Sequence, residues 1–143
     1  MKNIFGKYAL VGLSVLSIGL CTGQAQIMNQ LDFKVSQPFT VANTTLGAGS
    51  YIIRPVPGAG QTVLEISSAG GKPTVMVDAE SAQPDSAQGG SHLVFNKYKN
   101  VLALSQVFPG GGGTGYQLVQ GHPEQLAAKN EQPTKQTVAS TAK

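Results

Sequence analysis

Apolar residues in this chain come in short alternating runs, broken roughly every dozen residues by glycine and proline, the pattern of an all-β domain. Leu31, Phe33 and Val35 alternate with Asp32 and Lys34, the period of two expected of a strand with one buried face. Phe39 and Val41 extend the pattern past Pro38, which has no N–H for a ladder and so predicts an edge or a bulge. A turn is expected over 45–49. Residues 50–56 follow as a strand, with Tyr51 and Ile53 on one face and Ile52 and Arg54 on the other. Pro57-Gly58-Ala59-Gly60 is a turn. Residues 62–67 place Leu64 beside Ile66, and Ser68-Ala69-Gly70-Gly71 turns the chain back toward a strand over 74–79 carrying Val75 and Val77.

Residues 80–90 hold almost no large apolar side chain and read as a surface loop. A hairpin is predicted over 92–98 and 101–108, with Leu93, Phe95, Leu102 and Leu104 inward and Lys99-Asn100 as its tight connection. The glycine run Gly110 to Gly113 predicts a mobile connection, and 116–119 a short last strand. Pro123 suits the first turn of a short helix, with Glu124 at its positive end and Leu126, Ala127 and Ala128 following. Residues 130–143 are polar and predict a disordered tail.

Links this short favour antiparallel pairing. The expected fold is an all-β antiparallel β-sandwich or small β-barrel of about six or seven strands with a short C-terminal helix. Its expected core is Phe33, Phe39, Leu64, Ile66, Val75, Val77, Leu93, Phe95, Leu102 and Leu104.

The first 25 residues change the reading of composition. Lys2 and Lys7 precede an uncharged apolar run over 9–20, and Gly23 and Ala25 stand at the −3 and −1 positions before Gln26. This is the layout of a cleaved secretory signal, with an apolar run too short for a spanning helix. The expected division is a signal over 1–25, one β domain over 26–129 and the tail over 130–143, leaving no integral membrane span. Cys21 raises an alternative, lipoprotein anchoring, although Leu20 stands where a small residue normally precedes a lipidated cysteine. Cleavage at Ala25 would lower the formal charge from +3 to +1 and remove the one cysteine, so packing and not disulfides must stabilise the mature chain. The remaining cations are scattered, with no basic stripe of the kind nucleic acid requires.

Candidate chemistry is sparse. His92 and His122 are the two imidazoles, read as surface residues, and zinc would need three or four ligands. Asp78, Glu80 and Asp85 form the densest acidic group, but their spacing matches no calcium loop. Ser105 lacks the flanking glycines of a nucleophile elbow, and the glycine run lacks the lysine of a phosphate loop. No catalytic, cofactor-binding or metal-binding residue is therefore assigned. Tyr51, Tyr98 and Tyr116 are the candidate recognition surface, because aromatics with polar tips suit binding grooves.

Several segments together resemble a family of small exported bacterial proteins of unknown function. They are Pro38-Phe39-Thr40-Val41, then Thr45-Leu46-Gly47-Ala48-Gly49-Ser50-Tyr51, Leu93-Val94-Phe95-Asn96-Lys97-Tyr98, Leu104-Ser105-Gln106-Val107-Phe108 and Gly115-Tyr116-Gln117-Leu118, leading to a short helix containing Glu124. This chain departs from the family at Gly47, where proline is common, at Asn96, where histidine is common, and at Phe108, often tryptophan. The resemblance implies an exported β domain and assigns no reaction, ligand or partner. The expected function is a non-catalytic binding or structural role in the cell envelope or secreted space, with an envelope protein or small ligand as partner. Two alternatives stand beside it: a barrel-type carrier of a small apolar ligand, and a carboxylate-dependent hydrolase of envelope glycans using Asp78, Glu80 or Asp85.

Overall fold

The computed structural model describes residues 30–56, 62–70, 73–83, 89–111 and 114–141. The signal over 1–25 with Cys21, the turn at 57–60, Asp85 in the 80–90 loop, and Gly112 and Gly113 lie outside the described residues. The chain is mostly β. In order it forms β1 (Leu31–Val35), β2 (Phe39–Val41), β3 (Thr44–Leu46), β4 (Gly49–Val56), β5 (Thr62–Ser68), β6 (Pro73–Ala82), β7 (His92–Lys97), β8 (Leu102–Phe108), β9 (Gly115–Leu118), α1 (His122–Ala128) and β10 (Thr134–Ala139).

All ten strands belong to one sheet. Neighbours run β1-β4-β5-β6-β9-β8, and the other edge of β8 carries β7 and then β10. One edge of β8 is divided between two partners. Gln106 and Val107 face β9, while Ala103 faces Thr40 of β2, the single parallel pairing among the described residues. The sheet curls until its ends touch: the Thr141 N–H donates to the Asp32 carbonyl at 3.0 Å and the Ser140 hydroxyl to the same oxygen at 2.9 Å. The result is barrel-like, with the β2–β3 hairpin attached at the divided edge.

Period-two alternation fills the interior. Ile53 lies opposite Ile66, and Ile66 opposite Val75. Phe33, Phe95, Ile53, Leu64, Ile66, Leu93, Val41 and Val107 are fully buried. The Phe39 ring meets both Tyr51 and Phe95 edge to face, at centroid distances of 5.1 and 5.6 Å. Nine of the ten expected core residues are buried, and Val75 is half-buried against them.

Three expectations are corrected. The described residues form ten strands where six or seven were expected, partly because β3 forms where a turn was expected. The turn sits earlier, at Ala42-Asn43, with Ala42 at φ 49°, and this register brings Leu46 opposite Phe39 in the core. The strand β6 runs to Ala82, into the expected loop, because Ala79 to Ala82 pair with β9. The expected disordered tail contains β10, which pairs residue for residue with β7 from Thr134–Lys97 to Ala139–His92. Its polar side chains suit an outer strand held by its backbone ladder, and Val138 packs against the core.

Helix α1 is capped from a distance. Gly121 has no side chain to cap it, and the His122 N–H donates instead to the Asn43 side-chain oxygen at 2.8 Å. The Gly121 α-carbon rests directly on the backbone of Ala42, where an added Cβ would overlap the Ala42 carbonyl.

Candidate functional site

Alternation along β7 sends Leu93 and Phe95 inward and Asn96 to the opposite face. Tyr98 follows two residues later, and Glu124 comes from the first turn of α1. The three meet in a buried polar cluster. The Asn96 Nδ2 donates to Glu124 Oε1 at 2.6 Å, and the Tyr98 hydroxyl and Gln120 Nε2 reach the same oxygen at 3.4 Å. Glu124 is 3% exposed, Tyr98 4% and Asn96 5%.

Among the described residues no cationic side chain comes within ion-pair distance of this carboxylate; the ion pair they contain is Arg54–Glu65 across β4 and β5. Neutral donors and the first-turn position hold it instead. Burial, then the Glu124 charge, then the hydrogen bond to Glu124 raise the Tyr98 pKa above 10.0. Among the described residues the buried Asn96 Oδ1 has no hydrogen-bond partner, an arrangement that costs about 1–3 kcal/mol. A carboxylate held at one oxygen by three donors, beside a phenol that keeps its proton, fastens α1 to β7.

Two grooves open next to the cluster, and Tyr98 and Glu131 line both. One, of about 490 Å³, is bordered by Lys97, Lys99, Gln132 and Thr134. The other, of about 300 Å³, is bordered by Asn100, Val101, Pro123, Leu126, Ala127 and Asn130. The Lys99 main-chain N–H donates to Glu131 Oε2 at 2.7 Å.

The three candidate tyrosines do not form one surface. Tyr51 is a core residue whose hydroxyl donates to the Gly47 carbonyl at 2.7 Å. Tyr116 is half-buried against the core on β9. Tyr98 alone of the three borders the grooves, and its hydroxyl is turned inward to Glu124. His92, expected at the surface, is buried: it stacks on Phe108 at 4.8 Å, and its Nδ1 lies 2.9 Å from the Gly90 carbonyl. The exposed reading holds for His122.

Asp78 and Glu80 are exposed on β6, and the described residues contain no group of three potential metal ligands. Ser105 is a buried structural hydroxyl that accepts from Gln117 Nε2 at 3.2 Å. The described part of the glycine run is tied down, since the Gly111 N–H reaches the Gly89 carbonyl at 3.3 Å and the Ser91 hydroxyl donates to the Pro109 carbonyl at 2.6 Å. Sequence reasoning placed Glu124 only by its helix position. Its burial shows once the outer face of β7 is known to be covered.

Fold and cluster together define a barrel-like all-β domain with one helix fastened to its wall by a buried carboxylate. Compared with known proteins, the chain matches no family model, no curated protein and no solved structure.

Proposed function

We propose that this chain is an exported, non-catalytic β domain with a binding or structural role in the cell envelope or secreted space. The observation that carries this reading is the use made of Glu124. The most deeply buried carboxylate among the described residues is held at its Oε1 by Asn96, Tyr98 and Gln120, which supports a fastening role. The charged N-terminal segment with its apolar run and small-residue cleavage pattern supports export, as does the resemblance carried by Leu93 to Tyr98 and the Glu124 helix.

Large side chains such as Phe33, Phe95 and Leu64 occupy the interior, which favours this reading over an apolar-ligand carrier. The exposure of Asp78 and Glu80 on one open strand face favours it over a glycan hydrolase, which needs carboxylates converging on a cleft. The test has two arms. Expression in a bacterial host with mass analysis of the product should give a mature chain beginning at Gln26 in the exported fraction. Incubation with envelope glycans should release no reducing ends; release abolished by Asp78→Asn or Glu80→Gln would replace the binding reading with the hydrolase one.

A further inference from the structure

We propose, resting on the binding role above, that the groove beside Tyr98 is a site for the side-chain carboxylate of an acidic peptide, occupied in the free protein by the chain's own Glu131. The structure already seats a carboxylate there. The Tyr98 N–H donates to the Val101 carbonyl at 2.8 Å and closes the turn between β7 and β8, which presents the Lys99 N–H outward in a fixed direction. Glu131 Oε2 accepts that N–H at 2.7 Å.

The groove holds more positive charge than Glu131 uses. Lys97 and Lys99 border it, both exposed, and among the described residues neither ammonium lies within ion-pair distance of a carboxylate. An incoming carboxylate finds a directed donor and two uncommitted cations, the combination that gives charge-assisted recognition. The Glu131 side chain can swing away while its main-chain N–H stays on the Ala127 carbonyl at 3.1 Å. It sits between α1 and β10 in a segment without regular structure, so its departure breaks no rung of the β7–β10 ladder.

Two features favour a peptide over an acidic sugar. The resident carboxylate is carried by an irregular stretch of peptide, and the adjoining groove has an apolar part lined by Val101, Pro123, Leu126 and Ala127, with Leu126 46% exposed. That groove suits an apolar residue neighbouring the acid. A sugar would look for an open aromatic face, and the Tyr98 ring is buried.

The experiment titrates the isotope-labelled mature protein with a capped peptide copying residues 129–134, Lys-Asn-Glu-Gln-Pro-Thr, while following every backbone amide by NMR. In Glu131→Gln, which removes the internal competitor, the Lys99 amide should shift on titration, with a peptide affinity about tenfold above that of the wild type. The peptide with Gln in place of Glu should bind about tenfold more weakly, and Lys97→Gln with Lys99→Gln should lower affinity by a similar factor. Glu131→Asp, one methylene shorter, is a second weakened competitor should Glu131→Gln fold poorly, and its affinity should fall between the two. An unmoved Lys99 amide in both variants overturns the proposal, as does equal affinity in wild type and Glu131→Gln, or glucuronate binding as well as the peptide. Shifts confined to another face would sink this site while leaving a binding role for the domain intact.

Discussion

Replacing Gly121 by alanine separates two opposed physical effects. Gly121 lies at φ −80° and ψ 167°, an extended conformation open to any residue. Where alanine fits, removing a glycine stabilises a fold by about 0.4–1 kcal/mol through the unfolded chain. At this site the new methyl group would overlap the carbonyl oxygen, carbonyl carbon and α-carbon of Ala42, all backbone atoms of a turn already at φ 49°. Relief requires α1 to back away from the β2–β3 turn. That movement stretches the His122–Asn43 bond and loosens the Glu124 contacts with Asn96 and Tyr98. Overpacking of this kind costs about 1–3 kcal/mol, which outweighs the entropic gain.

The measurement is urea unfolding followed by circular dichroism, since the chain has no tryptophan to report by fluorescence. Gly47→Ala is the control: among the described residues no atom beyond its chain neighbours lies within 4 Å of its added Cβ, so its midpoint should hold or rise slightly. A Gly121→Ala midpoint at or above that of the wild type would show that α1 does not rest on the Ala42 backbone.

Four further outcomes follow from the same geometry. Phe95→Ala should lower stability by about 3–5 kcal/mol, since the ring is fully buried and meets Phe39 edge to face; an unchanged urea midpoint would place it outside the core. Tyr98→Phe should flatten the alkaline limb of the stability profile. The folded chain holds the phenolic proton to higher pH than the unfolded chain, whose value is 10.0, so this contribution is complete below that pH and is lost as pH rises through the folded value. Stability measured from about pH 9 upward should fall less steeply in the variant than in the wild type. Arg54→Ala should cost up to about 1 kcal/mol: Glu65 is nearly buried and loses hydrogen bonds of 2.9 to 3.2 Å, while the half-exposed arginine itself is well solvated; a double-mutant cycle with Glu65→Gln measures the coupling. Ending the chain after Gln132 should remove the β10 ladder, lower stability and promote association through the uncovered edge of β7, whereas a disordered tail could be removed without effect.

The sequence made the inward faces legible wherever apolar and polar residues strictly alternate, as at Leu31, Phe33 and Val35, because side-chain direction in a strand has a period of two. It concealed β10 because a polar strand is held by backbone hydrogen bonds, and those are invisible to a reading based on hydrophobicity. The burial of His92 is hidden for a related reason: it depends on a ring contact with Phe108, sixteen residues away and directly opposite in the β7–β8 register. The tyrosines were grouped by chemistry, while the pleat sent Tyr51 into the core. The Glu124 cluster joins residues 28 and 26 positions apart in the chain, a separation at which neither motif spacing nor periodicity carries a signal.

These contacts give the C-terminal segment a common purpose. Gly121 rests on the β2–β3 turn, Glu124 engages β7, Glu131 holds the turn between β7 and β8, β10 completes a ladder on β7, and Thr141 reaches β1 at Asp32. Apart from the β10 ladder, each link is a close contact or one or two hydrogen bonds, each bond worth on the order of 1 kcal/mol and modest alone. They lie in series on one short stretch of chain, so ordering one residue brings the next near its partner at reduced entropic cost. Two of the five links touch points where the sheet's own ladder is incomplete: the hairpin at the divided edge of β8 and the seam between β1 and β10. Among described residues that contain no cysteine, a polar segment fastened at these points does the work a disulfide does in many small exported domains.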